Sequence, residues 1–169
     1  MRALLPAASL LLVSLGAFAQ ATAEYRVKAG FLYNFVAFTE WPATVGRPLT
    51  LCVYGADPFG DELNALQGKT AGGRSLAIRY VDNLEQLKGC QVVFVARSAI
   101  GSLPRIMARL EGEPVLTVAD APSALDGGVG INMVVRQSKV AFEVNLAATR
   151  RAQLDVSSKL LRLASEVRQ

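Results

Sequence analysis

Between Leu49 and Ala119 the chain alternates short apolar runs of strand character with helix-forming segments, and this alternation constrains the fold more than any other feature. Leu49-Thr50-Leu51-Cys52-Val53-Tyr54-Gly55 reads as a strand, and Asp57-Pro58 behind it as a helix opening, with Asp as cap and Pro in the first turn. Residues 76–81 give a second strand, 84–88 a short helix, and 91–96 a third strand built on Val-Val-Phe-Val. After Ser98 a helix carries Leu103, Ile106, Met107 and Leu110, and residues 114–119 form a fourth strand before Asp120 opens a turn. Order of this kind implies an α/β fold, a mostly parallel sheet with helices on both faces, Rossmann/flavodoxin-like in class. Residues 129–135 and 139–144 depart from the rhythm, because only Arg136-Gln137-Ser138 separates them. So short a link permits only an antiparallel hairpin. Asn145 then caps a short helix through Arg151, and Ser157 a second whose apolar face is Leu160, Leu163, Ala164 and Val167.

The first residues set the expected compartment. Met1-Arg2 supplies a positive start, residues 3–15 an apolar run interrupted by Pro6, and small residues follow, which is the pattern of a secretory leader. Cleavage after Ala19 or after Ala23 satisfies the small-x-small requirement, so residues 1–23 are assigned to the leader and 24–169 to one α/β domain. The run falls short of the ~20 apolar residues that a spanning helix needs. Lys and Arg number 18 against 14 Asp and Glu, and the basic residues are scattered, not gathered into the stripe that nucleic acid binding requires. The chain contains no histidine, which removes the commonest general base, and two cysteines alone cannot complete a four-ligand zinc site. Gly68-Lys69-Thr70 resembles the end of a phosphate-binding loop, but Leu63 stands where the earlier glycine belongs, and a helix precedes the segment in place of a strand. Gly72-Gly73 and Gly127-Gly128 read as turn glycines.

Three groups of residues are candidates for function. Cys52 and Cys90 are either a disulfide or two buried thiols. If the first and third strands are neighbours in a 2-1-3 order, the pair lies at one end of the sheet, ~5 Å apart and within bridging range. Asp57, Arg97, Ser98 and Asp120 fall at the carboxyl ends of the parallel strands, where such sheets hold ligands, yet Asp57 and Asp120 also fit capping roles and Ser98 has no base to activate it. The helix over residues 24–39 is apolar on two sides: Val27, Phe31, Phe35 and Phe38 form a stripe that can dock on the sheet, which leaves Leu32 and Val36, with the corner from Phe38 through Trp41 to Pro42, to cover a partner. No catalytic residue and no cofactor is expected.

Several segments carry a family resemblance. Tyr25-Arg26-Val27-Lys28-Ala29-Gly30-Phe31-Leu32-Tyr33-Asn34-Phe35, ending in Phe38-Thr39-Glu40-Trp41-Pro42, resembles the opening of the YfiR family of exported regulators. Cys52-Val53-Tyr54-Gly55 with Asp57-Pro58-Phe59-Gly60, Gly130-Ile131-Asn132-Met133, Phe142-Glu143-Val144-Asn145-Leu146-Ala147-Ala148 and Ser157-Ser158-Lys159-Leu160-Leu161 are similar to that family's later segments, in order. The resemblance implies a periplasmic repressor that binds the periplasmic part of an inner-membrane diguanylate cyclase, lowering cyclic di-GMP and biofilm formation. It also implies a homodimer, and an outer-membrane lipoprotein that sequesters the repressor. The best-known member has a second cysteine pair in its later half, and this chain does not. The alternative reading is a periplasmic small-molecule sensor using the crevice at Asp57, Arg97 and Asp120.

Overall fold

Alternation along each strand decides the layering. In Leu51-Cys52-Val53-Tyr54 and in Val92-Val93-Phe94-Val95 successive side chains go to opposite faces, and all of them are buried, so the sheet needs a cover on both sides. The computed structural model describes residues 13–169. The expected leader therefore lies partly outside the described residues, which exclude 1–12, and its remainder is the start of the first helix. No helix among the described residues is long and apolar enough to cross a membrane.

Chain order is α1 (Val13–Ala37), β1 (Thr39–Glu40), β2 (Leu49–Tyr54), α2 (Asp61–Asn64), β3 (Thr70–Ala71), β4 (Arg74–Val81), β5 (Val92–Val95), α3 (Leu103–Leu110), β6 (Leu116–Ala119), β7 (Ile131–Arg136), β8 (Lys139–Asn145), α4 (Leu146–Arg151), β9 (Asp155–Val156), α5 (Ser158–Leu161) and β10 (Glu166–Arg168). Short 3-10 segments occupy Glu85–Leu87 and Arg97–Ser102. Eight strands form a curled sheet in the order β10-β8-β7-β6-β5-β2-β4-β3. The five that run parallel, β4-β2-β5-β6-β7, follow one another as 2-1-3-4-5, the flavodoxin-like order, with its switch point between β2 and β5. β7 and β8 are the antiparallel hairpin, paired from Ile131↔Val144 to Arg136↔Lys139.

One face of the sheet packs on α1, whose Leu32, Phe35 and Val36 meet Leu51, Val53, Phe94 and Val118, with α4 and α5 alongside through Leu146 and Leu160. Phe35 and Phe142 meet edge to face at 5.0 Å, which docks α1 on β8. The other face packs on α3 through Leu103, Ile106 and Leu110. A separate two-stranded pairing, Thr39↔Val156 and Glu40↔Asp155, joins the segment after α1 to the tail.

Both late caps form as their sequences imply: Asn145 accepts from Ala148 N–H and Ser157 from Leu160 N–H. The second of those helices is shorter than expected. α5 stops at Leu161, Leu163 is 72% exposed, and residues 166–168 leave helical geometry to pair with β8 as an edge strand. The open edge of β8 overrides the local helical spacing, and Ser165 N–H and Oγ–H both donate to Phe142 O at the crossover.

Candidate functional site

The carboxyl ends of β2, β5 and β6 are the place where a sheet of this order receives a ligand. Here the position at β6 holds Asp120, and α1 lies across it. Lys28 Nζ donates to Asp120 Oδ2 at 2.6 Å with neither side chain exposed, and also to Glu24 Oε1 one turn earlier on α1. Tyr25 Oη donates to the same Asp120 oxygen at 2.8 Å, and its ring lies 4.3 Å beneath the Lys28 ammonium, a cation–π contact. Arg97 Nε donates to the Asp120 carbonyl at 3.0 Å and sits 3.5 Å from the carboxylate. Tyr25 also stands edge to face on Phe59, which does the same on Phe94, so the polar group rests on an aromatic floor. Burial, reinforced by the hydrogen bond to Asp120, pushes the Tyr25 phenol far above its ordinary range and keeps it a donor. Asp120 Oδ1 alone in this group has no hydrogen-bond partner.

Of the residues singled out for this crevice, Arg97 and Asp120 meet and the other two serve the backbone. Asp57 accepts from Phe59 N–H at 2.8 Å and Gly60 N–H at 3.1 Å, so it closes the turn ahead of α2 and is not the cap of that helix. Ser98 Oγ accepts from Ala56 N–H at 2.9 Å. The approach there is close: Gly55 has φ +101°, and a Cβ on it would stand 2.8 Å from Ala99 Cβ. Asp120 is not a turn cap but the centre of a buried ion pair. Tyr25 and Lys28, which the sequence reading did not single out for this site, fill the space above it. A signal existed in the chain: Lys28 falls on the stripe Lys28, Leu32, Phe35, Val36, and a lysine on the buried side of a helix requires a partner.

The contact surface expected on α1 is corrected by the same helix. Leu32 and Val36 are 0% exposed and belong to the core, and Val27, expected on the docking stripe, is 49% exposed; Phe38, which ends that stripe and opens the corner expected to cover a partner, is 38% exposed. The helix is rotated because Lys28 must face Asp120, and the side that carries Lys28 also carries Leu32 and Val36. Trp41 is buried against the core cluster. Cys52 and Cys90 are joined by a disulfide with Cα atoms 5.9 Å apart, bridging β2 to the residue pair ahead of β5 across the switch point.

The outward stripe of α1 presents Val27, Gly30, Asn34 and Phe38 at spacings of three and four. Gly30 is unexplained by packing within the chain, since a Cβ there meets nothing within 4 Å.

A family model described as YfiR/HmsC-like matches residues 25–165. No curated protein matches the sequence. Among solved structures, the ABC domain in complex with L-Trp from Streptococcus pneumonia superposes with a TM-score of 0.59 at 10% identity. A conserved domain protein from Vibrio cholerae o1 biovar eltor str. n16961 superposes with a TM-score of 0.59 at 7% identity. Each likeness covers 85% of this chain and 60% of the other, and at such identities it is a likeness of fold.

Proposed function

This chain belongs to the YfiR/HmsC-like family, and from that premise we propose that it is a periplasmic regulator that represses an inner-membrane diguanylate cyclase by binding its periplasmic part, so lowering cyclic di-GMP and biofilm formation. The observation that carries the reading is the span of the match, which takes in the α1 segment from Tyr25 onward and every strand from β1 to β9. On this reading residues 24–169 act as one domain after removal of the leader, and no catalytic step is involved. Binding is the whole activity, and its surface is the outward stripe of α1, where Val27 and Phe38 hold apolar surface out to solvent. A second copy of the chain and a lipoprotein that relieves repression are the further partners that the family implies. Against a small-ligand role for the crevice at Asp57, Arg97 and Asp120 stands the occupation of that space by Tyr25 and Lys28.

The test is cyclic di-GMP measured in a deletion strain carrying wild type, Val27→Glu or Phe38→Glu, with periplasmic level and circular dichroism of each protein. Deletion should raise cyclic di-GMP, wild type restore it, and the two variants fold and reach the periplasm without restoring it. A deletion that leaves cyclic di-GMP unchanged removes the cyclase from the reading. Normal repression by both variants moves the contact surface away from α1.

A further inference from the structure

Val27, Gly30, Asn34 and Phe38 are all exposed, and at about 100° per residue they fall within roughly a quarter of the circumference of α1. Phe38 prolongs the last turn, its N–H donating to Asn34 O. Val27 and Phe38 hold apolar surface out to solvent at the two ends of this stripe, with 49% and 38% exposure. Between them the helix is thin, since a Cβ added at Gly30 would meet nothing within 4 Å. Followed in either direction, the stripe has an apolar side chain at each end and smaller residues inside. Such a surface is complementary to itself when two copies of α1 cross antiparallel about a two-fold axis, Val27 against Phe38 and Gly30 against Asn34. The glycine lets the two backbones approach closely.

The charges beside the stripe obey the same symmetry. Arg26 pairs with Glu62 of α2, Tyr33 Oη donates to Thr70 O of β3 at 2.7 Å, and Ala37 and Glu40 line one cavity with Ala71 and Arg74. Arg26 and Glu40 therefore stand on one flank of α1, towards its two ends. In a two-fold antiparallel pair that flank meets its own copy in reverse order, so Arg26 of each chain comes to Glu40 of the other. Glu40 has reason to receive a cation. Its cross-strand partner is Asp155, both are exposed, and neither enters an ion pair among the described residues. Like charges set directly opposite are destabilising, and an arginine brought to them offsets the repulsion. The Arg26 side chain is 68% exposed, and its guanidinium has donors enough to keep Glu62 and take Glu40 as well.

We propose that the outward stripe of α1 is covered by a second copy of the chain, in an antiparallel α1–α1 pair closed at each end by Arg26 on Glu40. The inference rests on the reading of this stripe as a contact surface and names a further occupant of it. While two copies are paired the stripe is closed to the cyclase, so self-association and repression compete by mass action.

Sedimentation equilibrium of the purified protein, with no cyclase present, reads the pairing apart from repression. Wild type is a concentration-dependent dimer. Gly30→Leu, whose side chain enters open space in the single chain, keeps its circular dichroism spectrum and weakens dimerisation about tenfold or more. Arg26→Glu and Glu40→Arg each weaken it too, because each sets like charges together on both sides of the axis. An equimolar mixture of those two variants restores the dimer, since every pair across the axis then joins opposite charges. A wild type that stays monomeric up to ~1 mM overturns the proposal and leaves the stripe to the cyclase. Wild-type affinity in a folded Gly30→Leu protein also overturns it. Should that variant not fold, the mixture decides: dimerisation no stronger than in its two components overturns the proposal. A dimer with all these properties upholds it even where deletion of the gene leaves cyclic di-GMP unchanged.

Discussion

Lys28 Nζ lies 2.6 Å from Asp120 Oδ2, with both side chains out of solvent, and so pins α1 to the carboxyl end of β6. Desolvation of two charges opposes their attraction, so such a pair adds little net stability, but removing one member strands the other. Lys28→Met is expected to lower the unfolding free energy by ~3–5 kcal/mol, read from urea curves. Adding Asp120→Leu to it should restore part of the loss. A single variant as stable as wild type would mean that water reaches the pair.

Tyr25 gives a pH dependence with a definite sign. Its folded-state pKa is raised above the unfolded value of ~10 by burial and then by the hydrogen bond to Asp120, so folding favours the protonated phenol. The stability that Tyr25 contributes is fully present below pH ~10 and is lost as pH rises above it. The urea midpoint of wild type minus that of Tyr25→Phe should therefore be constant from neutral pH upward and shrink in the alkaline range. A difference that grows there contradicts the assignment.

Cys52 and Cys90 close a loop with a sequence separation of 38. In the chain-entropy model such a bridge contributes about 4 kcal/mol. Denatured protein from an oxidising compartment should show no titratable thiol, and the Cys52→Ala, Cys90→Ala double variant should melt several degrees lower. Two reactive thiols per chain in the native preparation would count against the bridge.

Gly30 sits mid-helix in open space, where alanine is the better helix former by ~1 kcal/mol. Gly30→Ala should raise the melting temperature by roughly 2–4 °C. If the outward stripe of α1 is the contact surface, the same methyl weakens partner binding while the isolated protein gains stability. Calorimetry and a binding titration on one preparation separate the two effects.

Leu32 and Phe38 should behave as opposites. Leu32→Glu places a charge in the core and is expected to abolish folding, whereas Phe38→Glu, at a site already 38% exposed, should leave the circular dichroism spectrum unchanged. A folded Leu32→Glu protein would return Leu32 to the surface.

β2, β5 and β6 are legible in the sequence because burial on both faces writes each as a nearly continuous apolar run, and the caps at Asn145 and Ser157 because a cap bonds its own neighbours. The rotation of α1 is not legible in its own residues. Two of its sides are apolar, and the choice between them is made by Asp120, 92 positions away from Lys28. β10 is hidden for a similar reason: Leu160, Leu163, Ala164 and Val167 keep helical spacing, and only the free edge of β8 turns the last residues into a strand. At the crevice the meeting of Arg97 with Asp120 follows from their strand ends. Tyr25 and Lys28 arrive from a helix whose placement over the sheet no local pattern specifies.

Thr39↔Val156 and Glu40↔Asp155, with Ser157 N–H donating to Phe38 O, stitch the exit of α1 to the tail through main-chain hydrogen bonds. Because backbone, not side chains, makes the seam, its grip is indifferent to most substitutions along it. Phe38 is bonded directly to Ser157, the cap of α5, and α5 leads into the outermost strand of the sheet. The end of the first helix and the last strand are thus tied into one continuous run of main-chain pairing at the tail of the chain.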